Sequence, residues 1–249
     1  MNYVTSLATE YLDRVGSINI FPTEKHKQWY EENRPVGLGI MGLADLFLRY
    51  GIAYGNSDSI RFTGNIMKTM QEESYATSEN LGKTLGVPKN CKKVGDATES
   101  YRRNITTISI APTGSIAMIA DCSHGIEPVF APSFTRIDER GEEYLYTHPL
   151  AGKDYFVSAI GTNQPSWKEQ VDIVASAQNY CDSGVSKTIN LPNHAQVEDV
   201  KEAFIYAWKN GIKGITVYRD GSRQYQVLNA VPTEDALKDV ECIDGVCVL

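Results

Sequence analysis

Ile105-Thr106-Thr107-Ile108-Ser109-Ile110-Ala111-Pro112-Thr113-Gly114-Ser115-Ile116-Ala117 joins a β-branched run to a proline turn and then to small and hydroxyl residues. The first seven residues predict a largely buried strand. Pro112, which has no amide hydrogen, stops it, and the residues after it lead into a helix. Glycine lets the backbone come close to a ligand, the free amides of a helix start point at it, and Thr113 and Ser115 add hydroxyl donors. Pro112, Thr113, Gly114, Ser115 and Ile116 are therefore candidates for holding a phosphate. Thr113 or Ser115 would equally serve only to cap the helix.

Outward from this turn, helices and strands alternate. Downstream, Ser166 and Glu169 have capping-box spacing, and Trp167, Val171, Val174 and Ala177 form a helical stripe. A strand is predicted over Lys187 to Leu191, then a helix over about Gln196 to Lys209 with Val197, Val200, Phe204 and Trp208 facing inward, then a strand over Gly214 to Tyr218. Upstream, Val4, Leu7, Ala8, Tyr11, Leu12 and Val15 predict an opening amphipathic helix that needs a partner surface and ends at Phe21-Pro22. Thr23 to Arg34 reads as a polar stretch, and a long helix is capped at Asn56-Ser57-Asp58 and runs to about Gly82. Residues 123 to 160, with Pro128, Pro132, Pro149 and the charged run at 138–143, read as irregular. The alternation predicts an α/β fold built from parallel βαβ units.

By letter, Gly37-x-Gly39-x-x-Gly42 matches a dinucleotide-binding fingerprint. Such a fingerprint follows a strand, yet Tyr30-Glu31-Glu32-Asn33-Arg34-Pro35 precedes this one, and Pro35 cannot donate to a central ladder. The glycines are accordingly read as tight strand-to-helix packing.

With 249 residues, 42% of them hydrophobic, the chain can bury a large core. A net charge of −7 leaves no basic surface to hold a nucleic acid polymer by counterion release. The N-terminus has neither a basic nor a continuous apolar segment, and no apolar run reaches membrane-spanning length, so no membrane partner is expected and the cytoplasm is the expected compartment. Five cysteines, an odd number, argue against a secreted disulfide framework.

After Arg223 the composition turns polar and irregular and closes on Cys242-Ile243-Asp244-Gly245-Val246-Cys247. Gly245 lets the loop turn, and a terminal thiol pair suits exchange with other proteins by thiolate attack. Incidental tail cysteines are the alternative; no nearby histidine or second cysteine pair completes a zinc set. From Arg223 to Cys242 is 19 residues, about 60 Å fully extended or about 25 Å as a coil, enough to enter an active site and withdraw. Cys91, Cys122 and Cys181 stand singly and read as small buried residues. His26, His124, His148 and His194 share no ligand spacing, so no metal is assigned.

Together, Arg34 to Asp45, the Ser109 to Ser115 turn, Gly125-Ile126-Glu127-Pro128, Val185-Ser186-Lys187-Thr188-Ile189-Asn190-Leu191-Pro192 and Gly214-Ile215-Thr216-Val217-Tyr218-Arg219-Asp220-Gly221-Ser222-Arg223 resemble ribonucleotide reductases. The order along the chain is the family's, and the terminal cysteine pair matches its redox tail. The resemblance implies a ten-stranded α/β barrel of two five-stranded halves, with residues 1–223 supplying the second half and residues 224–249 a flexible redox tail. It implies that Pro112 to Ile116 bind the diphosphate of a ribonucleotide substrate. Cys242 and Cys247 would reduce the active-site disulfide formed at each turnover and be reduced in turn by thioredoxin or glutaredoxin.

The diiron-dependent class carries adjacent tyrosines on its last barrel strand; here Val217 precedes Tyr218. The Val217 to Arg223 wording is more similar to the adenosylcobalamin-dependent class, whose cofactor generates the thiyl radical directly. The family's radical cysteine, in an Asn-x-Cys-x-Glu loop, and its active-site cysteine pair are expected upstream of Met1. The expectation is therefore a split-gene product, with the radical cysteine on a complementary N-terminal half against which the opening helix packs. The alternatives are the corresponding part of a diiron-type large subunit, or a non-catalytic remnant that binds nucleotide or regulates.

Overall fold

The computed structural model describes residues 1–92, 101–137, 143–160, 163–222, 228–230, 241–243 and 246–248. Its frame is a layer of helices on a parallel array of strand segments. Residues 36–38 lie parallel to 106–110 through the Leu38–Ile108 bridge, and Ile110 bridges in parallel to Val185. That third segment continues into β3 (Thr188–Leu191), which pairs in parallel with β4 (Thr216–Arg219), Thr188 opposite Thr216 and Leu191 opposite Arg219. Spatial order follows sequence order. Among the described residues, no further strand pairs with the outer side of 36–38 or of β4.

Ile105 to Ala111 is buried at its centre, as its composition predicts, with Ile108 and Ile110 almost fully enclosed. It is not a continuous strand, and the reason is Asp182. Its carboxylate accepts from the amides of Thr107 at 2.7 Å and Ile108 at 3.0 Å, so a side chain takes two donors that a ladder would otherwise use. On the other side Leu38 N donates to Thr107 O and Ser109 N to Leu38 O, at 2.8 and 2.9 Å, while Val36 N donates to Thr106 O, one residue out of step with a regular ladder.

The helix layer runs α1 (Asn2–Ser17), α4 (Ser57–Leu85), α6 (Trp167–Gln178), α7 (Val197–Lys209), each packed on the next. Asn56 caps α4 by accepting from Ser59 N at 2.8 Å. Ser166 and Glu169 form the predicted capping box of α6, which buries Val171, Ile173, Val174 and Ala177 against the sheet side. Shorter helices α2 (Glu24–Asn33), α3 (Leu43–Arg49) and α5 (Gly114–Ile119) fill the connections. The polar stretch after Thr23 is thus a helix: Thr23 caps it, Arg34 closes it in the left-handed region, and charged side chains cover its surface. An antiparallel hairpin, β1 (Ser133–Ile137) and β2 (Glu143–Thr147), orders part of the stretch read as irregular, and β5 (Leu228–Ala230) joins the free edge of β1. Residues 138–142 of the charged run lie outside the described residues.

Both outer helices depart from the simplest amphipathic reading. α1 buries Thr5, Thr9 and Asp13 against α4 and leaves Val4, Leu7, Tyr11 and Val15 exposed. The anchor is electrostatic: Asp13 takes Arg34 Nε at 2.8 Å, Arg103 Nε at 3.0 Å and Asn104 Nδ2 at 3.0 Å. α7 meets its neighbours through Ala203 and Ala207, whose small side chains allow close approach. Val197, Phe204 and Trp208, expected inward, face outward, with Trp208 76% exposed.

Of the three glycines at 37, 39 and 42, the first two serve packing, as expected. A Cβ at Gly37 would meet Ser109 Cβ at 2.9 Å, and one at Gly39 would collide with the Ser109 carbonyl oxygen, so two backbones touch there. Gly42 starts α3 with φ 79.

Candidate functional site

Pro112 leaves the C-terminal end of the 105–110 segment, the end of a parallel array at which ligand sites form. Thr113 follows with φ 57 and ψ 22, a left-handed conformation unusual for a β-branched residue and costing about 1–3 kcal/mol unless neighbours hold it. What holds it is Gly125, whose amide donates to Thr113 Oγ1 at 2.8 Å. Thr113 therefore does not cap α5 with its side chain, and Ser115, inside the first turn, does not either. The amides of Gly114, Ser115 and Ile116 have no partner one turn back, and all three residues are exposed. A Cβ at Gly114 would meet nothing within 4 Å, so no protein neighbour demands this glycine. The space it leaves is open to a ligand.

Beside the turn lies a cavity of about 460 Å³, walled on one side by Val129, Phe130 and Phe134 and on the other by Asp45, Cys122, His124, Glu127 and His148. Thr188 and Asn190 also face it, while Ile189 and Leu191 on the opposite side of β3 enter the core. Pro112 to Ile116 do not line this cavity; they adjoin it through Thr113 and Gly125.

The polar wall is fixed by bonds between distant parts of the chain. His148 Nδ1 accepts from Leu150 N at 3.1 Å, so in the neutral ring Nε2 carries the proton and donates to Asp45 Oδ1 at 3.2 Å. Asp45 Oδ2 accepts from Ser123 N at 2.6 Å. Burial alone would raise the Asp45 carboxyl, but the bonds from His148 and Ser123 outweigh it and hold it at about 2. Cys122, read from sequence as buried, is half-buried in this wall. Burial and the nearby Asp45 and Asp121 carboxylates push its thiol up, so it stays protonated and weakly nucleophilic. Cys91 and Cys181 are buried, as expected.

Below the cavity, the enclosed Lys187 ammonium donates to Glu127 Oε2 at 2.5 Å, to Gln170 Oε1 at 3.3 Å and to the Thr188 carbonyl. Glu127 Oε1 accepts from Thr188 N at 2.6 Å. Burial lowers the Lys187 pKa and the Glu127 charge opposes that fall. Neither residue, nor the Asp45–His148 pair, was assigned a role from sequence. The only signal was that Arg34 to Asp45, Gly125 to Pro128 and Val185 to Pro192 belong to the stretches that carry the family resemblance; His148 had none.

Of the expected tail, the structure describes the backbone of β5, β6 (Glu241–Ile243) and β7 (Val246–Val248). β6 and β7 are antiparallel, and Cys242 stands directly opposite Cys247 in the register. Directly opposed residues have Cα atoms about 4.5–5.5 Å apart, inside the window of about 4.4–6.8 Å that a disulfide spans. Asp244 and Gly245, between the strands, lie outside the described residues, as do 231–240. Among the described residues no helix is long and apolar enough to cross a membrane.

The family model "Ribonucleotide reductase, barrel domain" matches residues 1–101, 95–152 and 143–218. A vitamin B12-dependent ribonucleoside-diphosphate reductase of Thermoplasma acidophilum is 36% identical over 91% of this chain, and one of Mycobacterium tuberculosis (strain CDC 1551 / Oshkosh) is 30% identical over 96%. The chain spans only 34% and 39% of those relatives' lengths. Among solved structures, the Actinobacillus ureae class Id ribonucleotide reductase alpha subunit superimposes with a TM-score of 0.73 at 22% identity, covering 87% of this chain and 46% of that one, which bears on the fold alone. The family match runs through nearly the whole described chain, and the chain belongs to the ribonucleotide reductase barrel-domain family.

Proposed function

We propose that this chain is the C-terminal part of a cytoplasmic, adenosylcobalamin-dependent ribonucleotide reductase, in which residues 1–223 complete a barrel and residues 224–249 form a redox tail. Pro112, Thr113, Gly114, Ser115 and Ile116 hold the diphosphate of the ribonucleotide. Cys242 and Cys247 return two electrons to the thiol pair that is oxidised to a disulfide when the ribonucleotide 2′-hydroxyl leaves as water. Thiol–disulfide exchange leaves Cys242 and Cys247 themselves as a disulfide, which thioredoxin or glutaredoxin reduces. The observation that carries the reading is the start of α5 at the C-terminal end of the parallel array, where Gly114, Ser115 and Ile116 are exposed residues and the Gly114 Cβ position is open space.

The radical cysteine belongs to a complementary N-terminal half. Supporting this are the outer segments of the array, each with a side that no strand among the described residues pairs, and the outward apolar residues of α1 and α7 at the two ends of the helix layer. A partner that adds strands at both edges would cover both helices at once. Two cavities among the described residues, of about 460 and 490 Å³, fall in the range of about 300–1,000 Å³ used for small ligands, and neither alone encloses a corrin with its nucleotide arm, which is larger. The cofactor, which supplies the radical when bound, is accordingly seated mainly by the other half.

The test is reconstitution with that half and adenosylcobalamin. Cys242→Ser and Cys247→Ser should each abolish thioredoxin-driven turnover while a small dithiol restores it. Unchanged thioredoxin-driven turnover would refute the tail assignment, and ribonucleotide reduction by this chain alone would refute the division between two halves.

A further inference from the structure

Glu127 is attached to the head of β3 through both carboxylate oxygens, one on the buried Lys187 ammonium and one on the Thr188 amide. The two residues before it are attached as well. The Ile126 carbonyl accepts from the buried Tyr54 hydroxyl at 2.6 Å, and the Gly125 amide reaches Thr113 Oγ1. Gly125 itself has φ 46 and lies so near the strand end that an added Cβ would meet the Ala111 carbonyl at 3.1 Å. Three consecutive residues thus run as a strut from β3 to the turn. At its far end stands Thr113, a β-branched residue in a conformation it does not keep unaided. A buried ion pair adds little net stability over apolar packing of the same volume, because desolvation offsets the attraction; what it does supply is a fixed geometry.

We infer that the Glu127–Lys187 pair is the positioning device of the Pro112–Ile116 turn: it fixes Gly125, and Gly125 holds Thr113 left-handed so that the Gly114, Ser115 and Ile116 amides converge on a diphosphate. This rests on the proposed role of the turn as the substrate-phosphate site. Neither residue touches the phosphate; both act through the backbone of 125 and the side chain of 113.

The experiment uses the 249-residue 15N-labelled chain and inorganic pyrophosphate as the probe. In the wild type, the intraresidue amide–Hα NOE of Thr113 is strong, as a positive φ requires, and the Gly114 to Ile116 amides shift saturably with pyrophosphate. Glu127→Gln weakens that NOE and raises the pyrophosphate Kd about tenfold, the effect of losing one charged hydrogen-bond contact. Because removing one member of a buried pair can unfold a chain, Gly125→Ala is the second variant. It leaves Glu127 and Lys187 in place, displaces the 125 amide, and should give the same two changes. Adding Thr113→Gly to Glu127→Gln should recover part of the affinity, since glycine takes the left-handed region without support; a purely structural role for Glu127 gives no such rescue. If the wild-type amides ignore pyrophosphate, the phosphate reading falls and the inference with it. If they respond, but the Thr113 NOE and the Kd are unchanged in folded Glu127→Gln and Gly125→Ala, the positioning role alone is overturned.

Discussion

Gly39→Ala separates the two readings of the Gly37-x-Gly39-x-x-Gly42 spacing. The added Cβ would be driven into the Ser109 carbonyl oxygen, and ordinary contact begins only at 3.4 Å, so one of two backbones must retreat by about an ångström. No flexible side chain is available to absorb the move. The retreat strains the Leu38 N to Thr107 O and Ser109 N to Leu38 O bonds. Overpacking costs about 1–3 kcal/mol and each weakened bond up to about 1 kcal/mol, so a loss of about 3 kcal/mol is expected. For a chain of this length that is about 10 °C in Tm, read by circular dichroism or by urea midpoint. Gly37→Ala meets only Ser109 Cβ, at 2.9 Å, and should cost less.

Gly114→Ala is the matched control, because its Cβ meets nothing within 4 Å. Stability should stay within about 0.5 kcal/mol of wild type, while pyrophosphate affinity falls as the methyl occupies the ligand's space. Gly39→Ala melting with the wild type would refute the packing role of these glycines, and loss of affinity for a dinucleotide in that variant would restore the fingerprint.

Three further outcomes are expected. Asp13→Asn leaves Arg34 and Arg103 without their buried carboxylate and should cost about 3–5 kcal/mol, measured by urea denaturation, with α1 losing hydrogen-exchange protection first. The Asp45 carboxyl is held at about 2 against an ordinary 3.8. A depressed carboxyl stabilises the fold above its unfolded value, so about 2 kcal/mol is present above pH about 4 and is lost as the pH falls through about 2; Asp45→Asn should flatten that limb of the stability curve. Leu7→Glu and Trp208→Glu, both on outward faces, should change the chain's own stability by under about 0.5 kcal/mol yet each prevent co-purification with the N-terminal half, and normal co-purification would exclude those faces from the joint.

Local rules succeeded wherever local chemistry decides. The Ser166/Glu169 box and the α6 stripe were legible because both partners of each interaction lie within one helical turn. The orientations of α1 and α7 were not legible from periodicity, which finds an apolar face but not what covers it. α1 turns its apolar face away because one carboxylate, Asp13, collects two arginines and an asparagine from 21 to 91 residues downstream. α7 does so because alanines allow the closest approach to its neighbours. Charged groups paired across such distances leave no periodic trace.

The turn shows the same limit at finer scale. Pro112-Thr113-Gly114 would, by propensity alone, give the left-handed position to the glycine. Thr113 takes it instead, and Gly114 enters the helix with ordinary backbone. The bond that decides this comes from Gly125, and the ion pair behind Gly125 joins residues 60 apart. Where local preference and observed geometry conflict, and an ion pair of a buried lysine with a partly exposed glutamate sustains the conflict, the strain is expected to serve a site rather than the fold. The sequence motif marks where a phosphate would sit; the residues that shape the seat are Gly125, Glu127 and Lys187, which only the folded chain brings to it.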